Sequence, residues 1–321
     1  MKQNLAINLL GCFTLLSICA CSSDGSDGNT DVIQPPVENK LAINISTNIS
    51  SRATEEDGAT HARITFTASH PGSRATETAF ENNDKIGIYI AKTNSPLEIG
   101  GNLVNNTPFT FDGAAWSSKS RLYWEDGTYD AYAYYPYIAN IASIEEQMVN
   151  ISTDQNSAKT ADQLGGYEAS DILFATTKGI TSPTEPVHLS FRHIMSKLKI
   201  RLVKGEDFEG EMPKTAEVYV LNTVPTATID LQAGIATRYV RGTSQTIKAH
   251  KDDDYTYSAI IVPQRIDTRL PLIEVVMEGV SYICNSRFVF KPGMEHLVNV
   301  VIDKNANQTK IDINGSTTKW Q

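Results

Sequence analysis

From residue 40 onward, apolar residues recur at every second position rather than at helical spacing. The segment RITFTAS (63–69) alternates Ile64, Phe66 and Ala68 with polar residues, and KIGIYIA (85–91) places its isoleucines on one face. A period of two is typical of β-strands, and polar residues in between indicate that the other face meets water. Both segments are therefore predicted to be half-buried strands.

The same pattern continues to the end of the chain. Further predicted strands, recognised by alternation or by a short apolar run, are 129–137, 196–204, 216–222, 227–232, 257–263, 272–279, 286–293 and 296–303. Turn signals separate them at Asp112-Gly113, Asp126-Gly127, Ala233-Gly234, Glu278-Gly279 and Pro292-Gly293. Many short strands at this spacing predict an all-β protein built from β-sandwiches. The one helix that the pattern allows is a turn or two at 142–149.

The chain has 321 residues, more than the roughly 100–200 residues of a typical domain, so two domains are expected. A boundary fits best in TTKGITSPTEP, where Gly179, Pro183 and Pro186 interrupt the strand pattern. We therefore predict an N-terminal domain at 40–183 and a C-terminal domain at 184–321.

Net charge argues against nucleic-acid binding. The chain carries a formal charge of -9, whereas phosphate binding needs clustered lysines and arginines. Its most basic segment, SKLKIRLVK (196–204), alternates lysines and arginine with aliphatic residues. We interpret Lys197, Lys199 and Arg201 as the water-facing side of a strand.

The N-terminus resembles a bacterial lipoprotein signal. Lys2 is followed by a short apolar run and then by ICAC, which is similar to a lipobox. The run is too short to span a bilayer. We predict a signal peptide at 1–20, lipidation of Cys21 and attachment to the outer membrane through acyl chains. Residues 21–39 are rich in Ser, Gly, Asp and Pro, and are predicted to be an acidic tether without structure of its own.

Residues that carry chemistry are few. Cys284 lies in an apolar strand pattern and is interpreted as a core residue, and His193 as a packed, hydrogen-bonded histidine. His188 and His193 are predicted to point to opposite faces, so that they do not share a metal ion. We interpret the acidic run 252–254 as a hairpin loop. Motifs for nucleophilic catalysis, phosphate binding or zinc binding do not occur, so neither enzymatic activity nor a cofactor is expected. One enzymatic alternative stays open at this point, a pair of glycosidase carboxylates contributed by distant strands.

One short repeat stands out. The sequence SRATE occurs at 51–55 and again at 73–77, each time after an alternating apolar stretch. Taken alone, the repeat is compatible with an accident in a turn-rich leader.

Several motifs together resemble one family, the fimbrillin-like lipoproteins that build type V pili. They are FENNDKIGIYI, RLYWEDGTYDAYAYYPY, HLSFRHIMSKLKIRL and SAIIVPQ, in the order that the family shows, from Phe80 to Gln264. Asn83 stands where the family usually has glycine, which a turn tolerates because asparagine also accepts left-handed backbone angles. The resemblance implies two tandem transthyretin-like β-sandwich domains and a structural role in adhesion.

The resemblance also implies partners. Family subunits are cut by an arginine-specific protease in the loop after the first strand, and a strand from a neighbouring fimbrillin subunit fills the vacated groove. Arg74 and Arg52 are the candidate cleavage positions here. Arg74 is preferred because it follows RITFTAS, whose removal would open the groove. The C-terminal segment, with 296–303 and the tail at 309–321, is the expected donor.

Other interpretations stay open from sequence alone. The chain is equally compatible with an uncut anchor or accessory lipoprotein. A monomeric surface protein that binds glycans or other host ligands is a further alternative, with YDAYAYYPY (129–137) as an aromatic platform.

Overall fold

The computed structural model describes residues 62–71, 79–161, 163–181, 183, 185–303, 310–312 and 316–320. Within these residues the chain is almost entirely β-structure, as the alternation predicts. The strands are β1 (Phe66–Ser69), β2 (Lys85–Lys92), β3 (Val104–Phe111), β4 (Trp116–Ser117), β5 (Tyr129–Tyr135), β6 (Gln147–Asn150), β7 (Leu173–Ile180), β8 (Val187–Ser190), β9 (Arg192–His193), β10 (Ser196–Lys204), β11 (Glu217–Thr223), β12 (Thr226–Asp230), β13 (Ile235–Arg238), β14 (Gln245–Lys248), β15 (His250–Lys251), β16 (Thr256–Ile261), β17 (Gln264–Met277), β18 (Val280–Phe290), β19 (Met294–Ile302), β20 (Lys310–Asp312) and β21 (Thr317–Lys319).

The described strands form five sheets. A sheet in the first half has the order β4-β3-β2-β5-β7-β9, and a second large sheet has the order β15-β16-β10-β19-β20, with β21 also paired to β19. The smaller sheets are β14-β11-β17-β18, β13-β12-β6 and the parallel pair β1-β8.

The helix prediction was wrong. Residues 144–146 form bends that lead into strand β6, which begins at Gln147, and the helix in the described part of the chain is α1 (Gly166–Ser170). Its Glu168 side chain accepts a hydrogen bond from the backbone N–H of the N-cap residue Gly165 at 2.8 Å, which satisfies one of the free N–H groups at the start of the helix. The strand at 147–150 forms because β12 pairs with it in antiparallel fashion, a long-range contact that a local pattern does not report.

Turn residues match their predicted roles. Asn83 has φ 76°, so asparagine takes the left-handed angle expected for it. Glu278 and Gly279 have φ 49° and 78°, and they join β17 to β18 directly after the pair Met277–Val280. Two central residues with positive φ are typical of a tight hairpin turn with type I′ angles.

Buried apolar residues form two clusters. We call one cluster core A; in chain order its first residue is Ile64 and its last is Phe191. We call the other cluster core B; its first residue is Tyr89 and its last is Trp320. The sheet that contains β2 and β5 lies between them: Ile88 faces core A, and Tyr89 faces core B. The prediction that β2 is half-buried was therefore wrong, because it is covered on both faces, and the same holds for β5.

The burial of β5 contradicts the interpretation of 129–137 as an aromatic platform for ligands. Every residue of β5, from Tyr129 to Tyr135, is buried. Tyr129 and Tyr135 pack in core A, whereas Tyr132 and Tyr134 pack in core B. These rings therefore fill the two cores and do not form an exposed stacking surface.

The domain boundary at 183/184 stays a prediction, and β8 and β9, which follow it, pair with β1 and β7. In the part of the chain that the structure describes, no helix is both long and apolar enough to cross a membrane.

Candidate assembly site

The first described strand, β1, is held by backbone contacts on two sides. On one side it pairs in parallel with β8, in the register Phe66–Val187 to Ser69–Ser190. The N–H of Val187 donates to Thr65 O at 3.0 Å, and that of Phe191 donates to Ser69 O at 3.1 Å.

On the other side, the residues just before β1 contact the segment around Leu122. Ile64 N–H donates to Leu122 O at 2.7 Å, and Trp124 N–H donates to Ala62 O at 2.8 Å. On this side the two hydrogen bonds hold only the backbone of Ala62 and Ile64. β1 is therefore a short strand that belongs to neither of the two six-stranded sheets.

Side chains on the two faces of this segment have different surroundings. Ile64, Phe66 and Ala68 are 3%, 4% and 7% exposed and pack in core A. The Phe66 ring meets the Phe109 ring edge to face, with centroids 5.2 Å apart. Removing these three side chains would leave a hydrophobic groove, since close-packed interiors leave few other atoms to fill such a space.

The opposite face of β1 is polar. Thr67 Oγ1 lies 3.0 Å from His188 Nδ1, and Ser69 Oγ lies 3.2 Å from His188 Nε2. His193 is instead buried and lies 2.8 Å from Asp171 Oδ1 through its Nδ1. The two histidines therefore have separate partners, as their spacing predicts.

Described residues on both sides of 72–78 lie close together. The His70 and Phe80 rings are 5.1 Å apart, and Phe80 also contacts Trp116, Tyr135 and Phe191. Arg74, the preferred cleavage residue, lies between them but outside the described residues, as do Arg52 and Cys21. Those three predictions stay predictions.

A cavity of about 540 Å³ adjoins this region and is lined by His70, Phe80, Asp84 and Tyr135 among others. Asp84 accepts hydrogen bonds from Glu81 N–H at 2.7 Å and from Tyr135 Oη at 3.2 Å. Burial raises the pKa of the Asp84 carboxyl. These bonds tie the turn before β2 to β5, which is a structural role.

Groups that suggested chemistry in the sequence have structural partners. Asp252 N–H and Asp253 N–H both donate to Thr256 O, which forms the predicted hairpin loop. Cys284 is 1% exposed in core B. Across the described ranges, no group of three or more His, Cys, Asp or Glu side chains is arranged to hold a metal ion.

The C-terminal tail docks on its own chain. β20 and β21 both pair antiparallel with β19, and Trp320 N–H donates to Gly293 O at 2.9 Å. All three residues of β21 are exposed, whereas Trp320 is only 4% exposed and belongs to core B. Among the described residues 316–320, Trp320 is therefore the one buried side chain of this end of the tail.

Trp320 has a defined socket. Its ring stacks on His193, with centroids 3.7 Å apart, and Lys197 Nζ lies 5.7 Å from the ring centroid. Lys197 Nζ is also 3.4 Å from Glu295 Oε2. The prediction that Lys197 faces water was therefore wrong, because the tail and β19 cover it, whereas Arg201 is exposed as predicted.

Sequence reasoning missed this socket. Trp320 is the last aromatic residue of the chain, and the two residues that its ring contacts, His193 and Lys197, precede it by more than a hundred positions. Trp320 Nε1 and His193 Nε2 are buried and bond no other described group. A buried indole N–H usually finds an acceptor, so the socket is not fully complementary to the tail.

Comparisons with known proteins agree with this fold. A family model described as fimbrillin-like matches residues 73–320. The chain is also 24% identical over 237 residues to a curated protein of Bacteroides ovatus named as a candidate fimbrium tip subunit, Fim1C. That match covers 66% of this chain and 39% of the relative, so the chain spans well under half of the relative's length.

Two solved structures, each named as a candidate cell adhesion protein, have a similar fold. One is from Bacteroides uniformis and the other from Bacteroides ovatus. Each superposes with a TM-score of 0.61 at 19% sequence identity, and covers 81% of this chain and 98% of the other. At that level of identity the likeness concerns the fold alone.

Proposed function

Because the chain belongs to the fimbrillin-like family, we propose that it is a structural subunit of a cell-surface type V pilus, or fimbria, that supports adhesion. Its partners are other fimbrillin subunits, joined by strand exchange. We propose neither an enzymatic activity nor a cofactor for this chain. Fold alone would not support it, since β-sandwiches serve many functions.

The observation that carries the proposal is the way β1 is held. The strand is short and parallel to β8, lies outside the large sheets, and inserts Phe66 and Ala68 into core A, together with Ile64 just before it. A strand of this kind is separable in principle, and its loss exposes both unpaired backbone groups and an apolar groove. These are the two features that an incoming strand recognises, through main-chain hydrogen bonds and side-chain pockets.

We propose that an arginine-specific protease releases β1 by cutting after Arg74. Cleavage after Arg52 would remove the lipidated tether but leave the groove closed, because Ile64 and Phe66 would stay attached to the rest of the chain. Cleavage needs exposed and adaptable backbone, and a polar segment such as SRATE provides suitable sequence. The processed subunit then begins at Ala75.

We propose that the donor strand is the C-terminal tail. Its contacts support this role, because the short strands β20 and β21 pair only with β19 among the described strands, and of residues 316–320 only Trp320 is buried. Exchanging one edge strand for an equivalent one preserves the number of backbone hydrogen bonds. The change in free energy then depends on the side chains that enter the groove.

Export fits the same scheme. We propose that the signal peptide 1–20 is removed, that Cys21 is lipidated, and that 21–39 tethers the folded part to the outer membrane until cleavage. Acyl chains hold such a precursor at the membrane, since each buried CH₂ contributes about 0.8 kcal/mol.

The test is the N-terminal residue of the protein purified from cell-surface fibres. An Ala75 start supports cleavage after Arg74. A lipidated Cys21 start in assembled fibres contradicts it. Deleting residues 309–321 tests the donor separately: we expect monomers instead of polymers, and unchanged polymerisation would exclude the tail.

A second candidate is a terminal subunit, either an uncut anchor or a tip, that donates no strand. The observation in its favour is the docked tail, since Trp320 already fills a pocket of its own chain. Under this alternative the fibre contains few copies of the chain, and deletion of 309–321 leaves fibre length unchanged. Immunogold labelling along or only at the ends of fibres separates the two candidates.

A further inference from the structure

A second cavity, beside the tail residue Thr317, is lined by three basic side chains. It has a volume of about 500 Å³, within the range of ~300–1,000 Å³ that is usual for small-molecule sites. Its walls come from β17, β18, the turn after β18, β19 and the tail residue Thr317. Neither the fimbrial fold nor strand exchange at β1 requires such a cavity.

The charge in this cavity is opposite to that of the chain. Arg265, Arg287 and Lys291 line it, on a protein with a formal charge of -9. Arg265 is paired with Asp267 through its Nε. Arg287 and Lys291 form no ion pair with any residue that the structure describes, and both are exposed. Among the described residues, these two cations therefore keep their charge available to a ligand.

The remaining wall is apolar and aromatic. Phe288 and Val298 are buried at the cavity's side, and Val289 at its rim is 43% exposed. The Phe288 ring meets His296 edge to face at 5.4 Å between centroids. An apolar body placed here would cover carbon surface that water now contacts, and a flat one would fit against the Phe288 edge.

His296 does not add to the positive charge. Its Nε2 accepts a hydrogen bond from Lys291 N–H at 3.2 Å, so its proton lies on Nδ1, which donates to Thr317 Oγ1 at 3.1 Å. Burial, and then the nearby Lys291, lower the pKa of this imidazole, which favours the neutral form. Anion recognition is thus left to Arg287 and Lys291.

We propose that this cavity binds an amphipathic organic anion, with a carboxylate, sulfate or sulfonate held by Arg287 and Lys291 and an apolar body against Phe288 and Val298. The planar guanidinium matches such groups in two-point hydrogen bonding. The lysine adds a point charge. The ligand is either a free small molecule or the head and first methylenes of an anionic lipid.

The experiment titrates the unlipidated mature chain, residues 22–321, with naphthalene-2-sulfonate by isothermal calorimetry. Naphthalene-2-sulfonamide, neutral at pH 7 and nearly the same shape, tests the charge, and inorganic sulfate tests the apolar body. We expect saturable one-to-one binding of the sulfonate, and binding at least tenfold weaker for the other two probes. Equal binding of the sulfonamide would overturn the proposal.

Variants locate the site. Arg287→Gln with Lys291→Gln removes the two cations, and both side chains are exposed, so folding is expected to be retained. Arg238→Gln with Lys178→Gln changes net charge equally on exposed residues outside the cavity. We expect at least tenfold weaker sulfonate binding in the first double variant and none of that loss in the second. Equal affinity in both would overturn the assignment.

The two possible sources are separated by vesicles of phosphatidylcholine with or without phosphatidylglycerol. Capture by the anionic vesicles that is lost in the Arg287/Lys291 variant supports the site with a lipid as its ligand. Sulfonate binding without vesicle capture supports it with a free small molecule. Vesicle capture that the variant retains, together with no sulfonate binding, overturns the proposal.

Discussion

The indole ring of Trp320 lies flat on the imidazole ring of His193, with centroids 3.7 Å apart and planes only 4° apart. His193 belongs to β9, which pairs with β7 in the sheet between the two cores, whereas Trp320 ends the tail. This stack therefore links the end of the tail to the sheet beside the candidate groove. A rearrangement of the tail changes the environment of His193 directly.

Trp320→Ala is expected to free the tail more than it destabilises the protein. Truncating a fully integrated core tryptophan costs ~3–5 kcal/mol. The global loss should be smaller here, because the tail can undock by itself and leave core B folded. Hydrogen exchange at Thr317–Lys319 should accelerate, while that of β10 should stay slow.

Lys319→Ala is the matched control, because Lys319 lies next to Trp320 but is exposed. Its tail amides should exchange at the wild-type rate. Faster exchange throughout β10 and β16 in Trp320→Ala would mean that the tail is an integral part of the fold and not a detachable strand.

Phe66→Ala is expected to weaken the docking of β1 strongly. The ring is 4% exposed and contacts Phe109, so truncation leaves a cavity and costs ~3–5 kcal/mol in urea unfolding. Thr67→Ala, on the polar face of the same strand, loses a hydrogen bond to His188 and should cost ~1 kcal/mol. Similar losses in both variants would show that β1 does not depend on core A.

Arg74→Ala and Arg52→Ala separate the two copies of SRATE. If β1 must leave before assembly, Arg74→Ala should abolish polymers and leave a lipidated precursor on the cell. Arg52→Ala should assemble normally, because cleavage after Arg74 still removes β1. Immunoblots of surface fractions measure both outcomes, and normal polymer ladders from Arg74→Ala would contradict the scheme.

His296 is expected to make stability fall in mild acid. The pKa of this imidazole is lowered from its ordinary 6.5, so below pH 6.5 the unfolded chain takes up a proton more readily than the native one. Its contribution is therefore complete above about pH 6.5 and is lost as pH falls towards the native pKa. The free energy of unfolding in urea, measured from pH 7.5 to 5.5, should decline.

His296→Asn is the control for this decline, since asparagine retains an amide donor near Thr317 without a titrating proton. The difference between the two curves isolates His296 from the buried carboxyls. Burial raises the pKa of Asp84 and that of Asp252, so these two carboxyls make the free energy of unfolding rise, not fall, as the pH is lowered. They do so nearer the pH range in which carboxyls titrate. Parallel curves for the two proteins would show that His296 does not contribute.

Cys284 is expected to resist thiol reagents until the protein unfolds. The side chain is 1% exposed, and burial raises the pKa of its thiol to about 12. In a chain lacking residues 1–21 it is the only cysteine. Reaction with a thiol-specific chromogenic disulfide should therefore follow unfolding, and rapid reaction of the native protein would show that β18 opens locally.

The sequence by itself determined many of the strands, several turns and the family, but strands such as β3 and β7 were not predicted. Alternation at 63–69 and the Glu278-Gly279 turn predict local geometry correctly, because the strand period and the angles of these turn residues depend on nearby atoms. The burial of Cys284 was also predictable from the apolar residues around it. Each of these properties is carried by neighbouring residues in the chain.

Tertiary structure alone decided which faces meet water and what covers them. Tyr132 is buried because β5 has a second core behind it, and Lys197 is buried because Trp320 returns to it from the end of the chain. Tyrosine and lysine have both apolar and polar parts, so their sequence pattern fits either environment. Only long-range packing selects between them, and the socket of the tail therefore emerged from the structure.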